Sequence, residues 1–312
     1  MTLRDDPTPP PRSYLFAPGH DRKLLAKVFD AGADAVVLDL EDAVPRGEKE
    51  AARRRTARAL RQRPPAQASP PEQAWVRINA LGGPFWREDV AAVVCGALAG
   101  LRVPKAEDPE LLRLLDRKLL QAESAAGLEE GRVPIVATLE SARGVLAAET
   151  LAQAPRVVGF AFGSADFVAD LGAAPEHAPA TLYARSRTVV VSRALGLRAP
   201  IAGAYTRLND PEGLRVSTRE ARNLGFFGRS CIHPKQLPTV HRIFDPSPEE
   251  VAWARQTLRA FETAEAQGAG VTVAQDGAFV DAAVVRRARI FLERQEGTAG
   301  PGRTAEGRDG EA

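Results

Sequence analysis

The most constraining feature of this chain is an alternation. Short apolar runs, each ended by a turn residue or a charge, alternate with amphipathic stretches about eight times between Ser13 and Ile232. The runs read as strands at Ser13 to Ala17, Ala35 to Leu40, Trp75 to Ile78, Leu101 to Pro104, Pro134 to Leu139, Val157 to Phe162, Ala199 to Gly203 and Gly228 to Ile232. Runs this short and this rich in Val and Ile are expected of parallel strands buried on both faces. Between them, helical spacing covers Asp21 to Ala31, Glu48 to Arg61, Val90 to Leu98, Glu110 to Ala125, Ala142 to Ala152, Leu182 to Leu195 and Glu212 to Leu224. The alternation predicts an α/β fold, a (β/α)₈ TIM barrel. The competing arrangement is an open doubly wound sheet, but no GxGxxG follows the first strand.

The barrel is expected over residues 12–245, behind a disordered N-terminus of residues 1–11. The proline-rich RPPAQASPPEQA reads as a surface loop. A helix-arm-helix extension follows over residues 246–295: a capped helix from Pro248 to Ala266, a glycine-bounded β-like segment with a turn at Asp276-Gly277, and a helix from Ala282 to Arg294. Residues 296–312 read as a disordered tail.

Composition narrows the function classes. Lysine plus arginine is 42 against 40 acids, with the basic residues dispersed, which argues against a nucleic-acid partner. The two cysteines, Cys95 and Cys231, form no framework and no CxxC pair, as in a reducing compartment. No run is long enough for a membrane span and the N-terminus lacks a signal-like apolar core, so a cytoplasmic location is expected.

The strand ends carry the chemistry. They offer Glu41 and Asp42, Arg77 with Asn79, Lys105, Glu140, Asp166 and His233, and a barrel gathers such positions on one face. Two carboxylates, Glu140 and Asp166, end adjacent strands and suggest a hard divalent cation, Mg²⁺. Helix capping by Glu140 and a turn role for Asp166 would account for the same residues. Arg77 offers a planar fork for a carboxylate or 2-oxo acid; neutralising Glu41 or Glu140 in a buried ion network is its other reading. Beside a metal, the arginine would stabilise enolate charge developing at a carbon–carbon bond. His233, ahead of a proline, reads as a turn-fixing residue. No Ser-His-Asp triad, P-loop or zinc spacing is present.

Nine blocks in collinear order resemble the citrate lyase β subunit (HpcH/HpaI aldolase/citrate lyase-like) family: RSYLFAPGH, GADAVVLDLEDAVP, WVRINALGGPFW, RVPKAEDP, ATLESARGV, FGSADFVADLG, YARSR, GFFGRSCIHPKQ and DGAFVDAAVVRRA. The resemblance implies a Mg²⁺-dependent (β/α)₈ lyase acting on an acyl-CoA or acyl-carrier-protein thioester, assembled as a homotrimer, with other citrate lyase subunits as further partners. It puts the metal ligands on Glu140 and Asp166 and the substrate-binding arginine on Arg77. Glu41 falls near the metal's water ligands, and the loop through Gly163, Ser164 and Ala165 presents backbone N–H groups to the substrate. Asp281, in the extension, falls where relatives send an aspartate into a neighbouring subunit as acid/base. The implied reaction cleaves a citryl-like (3-hydroxy-3-carboxyacyl) thioester to oxaloacetate or another 2-oxo acid plus an acetyl thioester. Malyl-CoA or citramalyl-CoA lyase and malyl-CoA thioesterase are the alternatives within the class. An obligate subunit of a citrate lyase complex, or a metal-binding barrel without turnover, is the alternative outside it. The chain leaves the family pattern at Ser164-Ala165, at Phe279, and at Ala202-Gly203, where a carboxylate is usual.

Overall fold

A computed structural model describes residues 10–65, 73–174, 178–274 and 277–298. The expectations for residues 1–9, for the middle of the proline-rich loop, for Asp276 and for the tail beyond Thr298 lie outside the described residues. The chain divides between His241 and Arg242 into two compact units.

In the first unit, seven parallel strands form one sheet in the order β6-β5-β4-β3-β2-β1-β7. They are β1 (Ser13–Pro18), β2 (Ala35–Asp39), β3 (Gln73–Arg77), β4 (Leu98–Val103), β5 (Ile135–Leu139), β6 (Val157–Phe162) and β7 (Arg229–Cys231). The predicted strand at Ala199 to Gly203 is instead a pair of bridges, Ala161 with Ile201 and Ala202 with Arg229. Pro200 has no N–H to give a ladder, and its carbonyl accepts from Phe227 N–H at 3.0 Å. The two bridges still close the ring between β6 and β7, so the fold is the (β/α)₈ barrel the alternation predicts.

The helices of this unit are α1 (Arg22–Lys27), α2 (Lys49–Arg61), α3 (Trp86–Val93), α4 (Pro109–Ala125), α5 (Ala142–Leu146), α6 (Ala148–Ala152), α7 (Ser164–Leu171), α8 (Ala178–Ala194) and α9 (Pro211–Leu224), with α10 (Leu237–Phe244) at the division. Several differ from expectation: α7 and α10 fall where no helix was expected, and α8 starts at Ala178 rather than Leu182. The helix read at Val90 to Leu98 starts earlier, at Trp86, with Glu88 and Asp89 favourably placed in its first turn, and Leu98 belongs to β4. The stretch Ala142 to Ala152 breaks into two short helices at Ala147. Asp21 to Ala31 tightens after Lys27 into a 3₁₀ turn.

Inside the ring, Tyr14, Ala35, Val37, Trp75, Val136, Val158, Ala161 and Ile201 pack as one cluster. Gly100 makes room for it: a Cβ there would lie 2.4 Å from the Trp75 ring.

The second unit pairs α11 (Pro248–Ala266) with α12 (Ala282–Thr298) around Ala254, Ala288 and Phe291. A capping box starts α11, Ser247 accepting from Glu250 N–H while the Glu250 carboxylate accepts from Ser247 N–H. The arm is an antiparallel ribbon of β8 (Thr272–Val273) and β9 (Phe279–Val280). The final helix runs on to Thr298, so it takes in the first residues expected for the tail.

Candidate active site

The carboxyl ends of β2 through β6 bring together most of the predicted residues. Parallel register sets Asp39 opposite Arg77 on neighbouring strands. The Arg77 fork donates to Asp39 from Nε and Nη2, both at 2.7 Å, and Nη1 lies 3.1 Å from Glu41 Oε2. A guanidinium has five N–H groups; two are hydrogen-bonded to Asp39 and Nη1 is ion-paired with Glu41, so one each on Nη1 and Nη2 is left for another acceptor. Arg77 therefore sits in the ion network that was its second reading, while keeping half of its outer edge uncommitted. Against these carboxylates, and despite its burial, its pKa is raised.

Asp39 was not singled out from sequence. It is 1% exposed and, besides Arg77, accepts from Glu41 N–H at 2.9 Å and Ala43 N–H at 3.3 Å, so it folds the Glu41-Asp42 turn back over the ring. Its period-two spacing from Val37 puts it on the lumen face, a signal that the apolar run AVVLDL masks.

Glu41 is held on its other side by Lys105 Nζ, 2.6 Å from Oε1. Burial raises its pKa, opposed mainly by Arg77. Lys49 Nζ donates to the Leu40 and Glu41 carbonyls at 2.7 Å each, which fixes this loop from α2. Lys105, at φ 50°, turns its own N–H toward Glu140 Oε1 at 2.6 Å.

Glu140 is 5% exposed, and its pKa is pushed up to about 7, first by burial and further by the charge of Asp166. Gly163 lies so close that a Cβ there would fall 2.4 Å from Glu140 Oε2. Asp166 stands in the first turn of α7, just after β6. The first bond inside that helix runs from Phe167 N–H to Gly163 O at 3.0 Å, so the N–H groups of Ser164 and Ala165 have no acceptor within the helix.

This donor set suits Mg²⁺. A buried carboxylate that resists ionisation beside a second acid is relieved by a cation, and Mg²⁺ is usually held by one or two carboxylates with water and substrate completing its shell. Among the described residues no group of three or more His, Cys, Asp or Glu side chains is placed to hold a metal ion.

A second arginine was missed. Arg102, on β4, is buried in the ring, donates from Nη2 to Ser230 Oγ at 2.9 Å, and has no partner for Nη1. Its guanidinium and that of Arg77 both lie over the Phe16 ring, at 5.4 and 5.2 Å. Burial pulls its pKa down to about 10. An arginine between Leu101 and Val103 was the available signal.

Other predicted residues are committed elsewhere. Asn79 donates to Asp89 Oδ2 from N–H at 2.9 Å and from Nδ2 at 2.6 Å, tying β3 to α3. His233 Nδ1 accepts from Lys235 N–H at 3.1 Å, the turn-fixing role expected of it. Asp281 belongs to the second unit, where its Oδ1 accepts from Ala283 and Val284 N–H at 2.8 and 3.0 Å and caps α12.

The HpcH/HpaI aldolase/citrate lyase family model matches residues 12–234. The citrate lyase subunit beta of Haemophilus influenzae is 34% identical over 287 residues, 91% of this chain and 96% of that protein. An L-malyl-CoA/beta-methylmalyl-CoA lyase of Rhodobacter capsulatus is 31% identical over 321 residues, 95% of this chain and 99% of that one. The crystal structure of CitE from Mycobacterium tuberculosis, in complex with magnesium, acetoacetate and coenzyme A, superposes with a TM-score of 0.73. It is 31% identical, and the match covers 94% of this chain and all of that one.

Proposed function

The chain belongs to the HpcH/HpaI aldolase/citrate lyase family and is a carbon–carbon lyase, and we propose that its substrate is a citryl-like thioester. The products are oxaloacetate or another 2-oxo acid and an acetyl thioester. The carrier is coenzyme A or an acyl-carrier protein. Glu140 and Asp166 would hold Mg²⁺, which would supply Lewis-acid stabilisation of the negative charge that develops beside the breaking bond. The single observation that carries this reading is Glu140: a buried acid, pushed up to about 7 by burial and by Asp166, at the strand end next to the Arg77 fork.

The chain's own residues divide the work. Arg77, held rigid by Asp39 and Glu41, directs its two remaining N–H groups at the carboxylate of the 2-oxo-acid half. Glu41, fixed by Lys105, would accept hydrogen bonds from water beside the metal site. The N–H groups of Ser164 and Ala165, at the positive end of α7, support the thioester oxygen. Asp281, from a neighbouring subunit of a homotrimer, takes the hydroxyl proton. The carbon–carbon electron pair passes to the acetyl thioester as its enolate, which a proton then quenches. General acid–base assistance of this kind is worth roughly 10²–10⁴-fold.

A panel of citryl-, citramalyl- and malyl-CoA, with a carrier-protein citryl thioester, tests the reading in the presence of Mg²⁺. Cleavage of a citryl thioester ahead of the others is expected. Preference for a malyl or citramalyl thioester would replace the substrate, and turnover of none with Mg²⁺ bound would remove the reading.

A further inference from the structure

A cavity of about 580 Å³ opens beside the active site, lined by Ser164 and Ala165 of α7, by Ala202 and Gly203, and by Arg185 and Arg229. Its size is that of a ligand pocket rather than a packing defect. Two guanidiniums lie in its wall, Arg229 buried and Arg185 part-buried, and neither is hydrogen-bonded to an acid. Arg229, 4% exposed, spends Nη2 on the neutral Ser217 O and Oγ, both at 3.0 Å, and its buried Nε has no partner. Arg185, with 14% of its side chain exposed, has Glu220 at 3.9 Å, a half-exposed acid too distant for a hydrogen bond. Burial pulls both pKa values down, Arg229 to about 10, and Arg185 pushes Arg229 further the same way. Both stay charged at neutral pH, and buried charge is ordinarily paired.

Glu220 is the one acid among the described residues that line the cavity, half-exposed and beyond hydrogen-bond reach of Arg185. Ala202, bridged to Arg229, and Ala165 are two of the positions where the sequence leaves its family's pattern, and Gly203 packs so tightly on Ser164 that a Cβ would lie 2.7 Å from its Oγ.

We propose that this cavity is an oxyanion site, taking a carboxylate or phosphate group between Arg185 and Arg229. The site stands on its own geometry; the source of the anion rests on the thioester reading. Ser164 and Ala165 immediately precede Asp166, so the two sources are a second carboxylate on the 2-oxo-acid half and a phosphate of coenzyme A.

The test is a thermal-shift titration of the full-length, metal-free protein with inorganic phosphate, at constant ionic strength made up with chloride. Wild type is expected to gain stability saturably. Arg229→Met should weaken that response at least tenfold. Ala202→Asp, which supplies an internal counter-ion, should melt higher without phosphate and respond little to it, and this outcome does not require the arginine variant to fold. No saturable response in wild type, or an equal response in all three proteins, overturns the site. Competition then separates the sources. Displacement of phosphate by coenzyme A but not by pantetheine assigns a coenzyme phosphate, and displacement by oxaloacetate but not by pyruvate assigns the second carboxylate. Displacement by neither pair overturns a substrate origin while the lyase assay still reports on the proposed function separately.

Discussion

Replacing Glu140 by Gln should make the metal-free protein less sensitive to rising pH. The carboxyl has an ordinary value of 4.5 and is pushed up to about 7 in the fold, chiefly by burial. At about 1.36 kcal/mol per tenfold change in proton affinity, that displacement corresponds to roughly 3 kcal/mol. The folded pKa lies above the unfolded one, so the fold favours the protonated acid. Its contribution is complete below about pH 4.5 and is lost as pH rises through 7. Urea denaturation of chelator-treated wild type and Glu140→Gln, from pH 4.5 to 8.5, measures the difference directly. Wild type should lose about 3 kcal/mol relative to the variant across that window, most of it between pH 5 and 7.5. Magnesium competes with the proton for the same oxygens. It should therefore stabilise wild type more at pH 8 than at pH 5.5, and stabilise the glutamine protein little at either. A difference between the two proteins that does not change with pH would refute the buried-acid argument, whatever the enzyme does in an activity assay.

Three further outcomes follow from the same geometry. Gly163→Ala puts a methyl group 2.4 Å from Glu140 Oε2, and should abolish the stabilisation by Mg²⁺ in a calorimetric titration. Asp39→Ala strips the part-buried Arg77 of its buried bidentate partner; unfolding free energy should fall by about 3 kcal/mol, with Asp39→Asn intermediate. Asp281→Asn keeps an oxygen able to cap α12, so its melting temperature should hold while kcat drops at least 100-fold, the range of general-base loss; full turnover would remove Asp281 from the mechanism.

How far the sequence could be read depended on whether a signal is local. Apolar runs and turn residues placed the strands to within a few positions, because burial on both faces leaves a continuous signature. Ala199 to Gly203 carried that signature too, yet Pro200 cannot donate to a ladder, and the segment closes the ring through bridges alone. The helix at Trp86–Val93 was displaced in the reading because the apolar run that follows it belongs to β4. Glu41, Arg77, Lys105 and Glu140 were legible as charges at strand ends. Asp39 and Arg102 were not, since each is enclosed by apolar neighbours in the sequence, Leu38 and Leu40 or Leu101 and Val103, and becomes conspicuous only when the lumen face is known. The cavity beside Ala202 was equally hidden: the sequence records which side chains are missing, but only the fold brings Arg185 of α8 and Arg229 of β7 to that space.

The pairing of Asp39 with Arg77 across two adjacent strands has a consequence for how such an enzyme can diversify. The Asp39–Arg77 pairing is written into backbone register, and of the connecting loops only the one after β2 adds to it, through Glu41 and Ala43. Loops that carry neither this pairing nor the acids beside it are then free to vary in length and charge without dismantling the chemistry beneath them. A scaffold organised this way can exchange the group it recognises by a few substitutions around the rim, Ala202 and Ala165 among them, while the bond-breaking step is inherited unchanged.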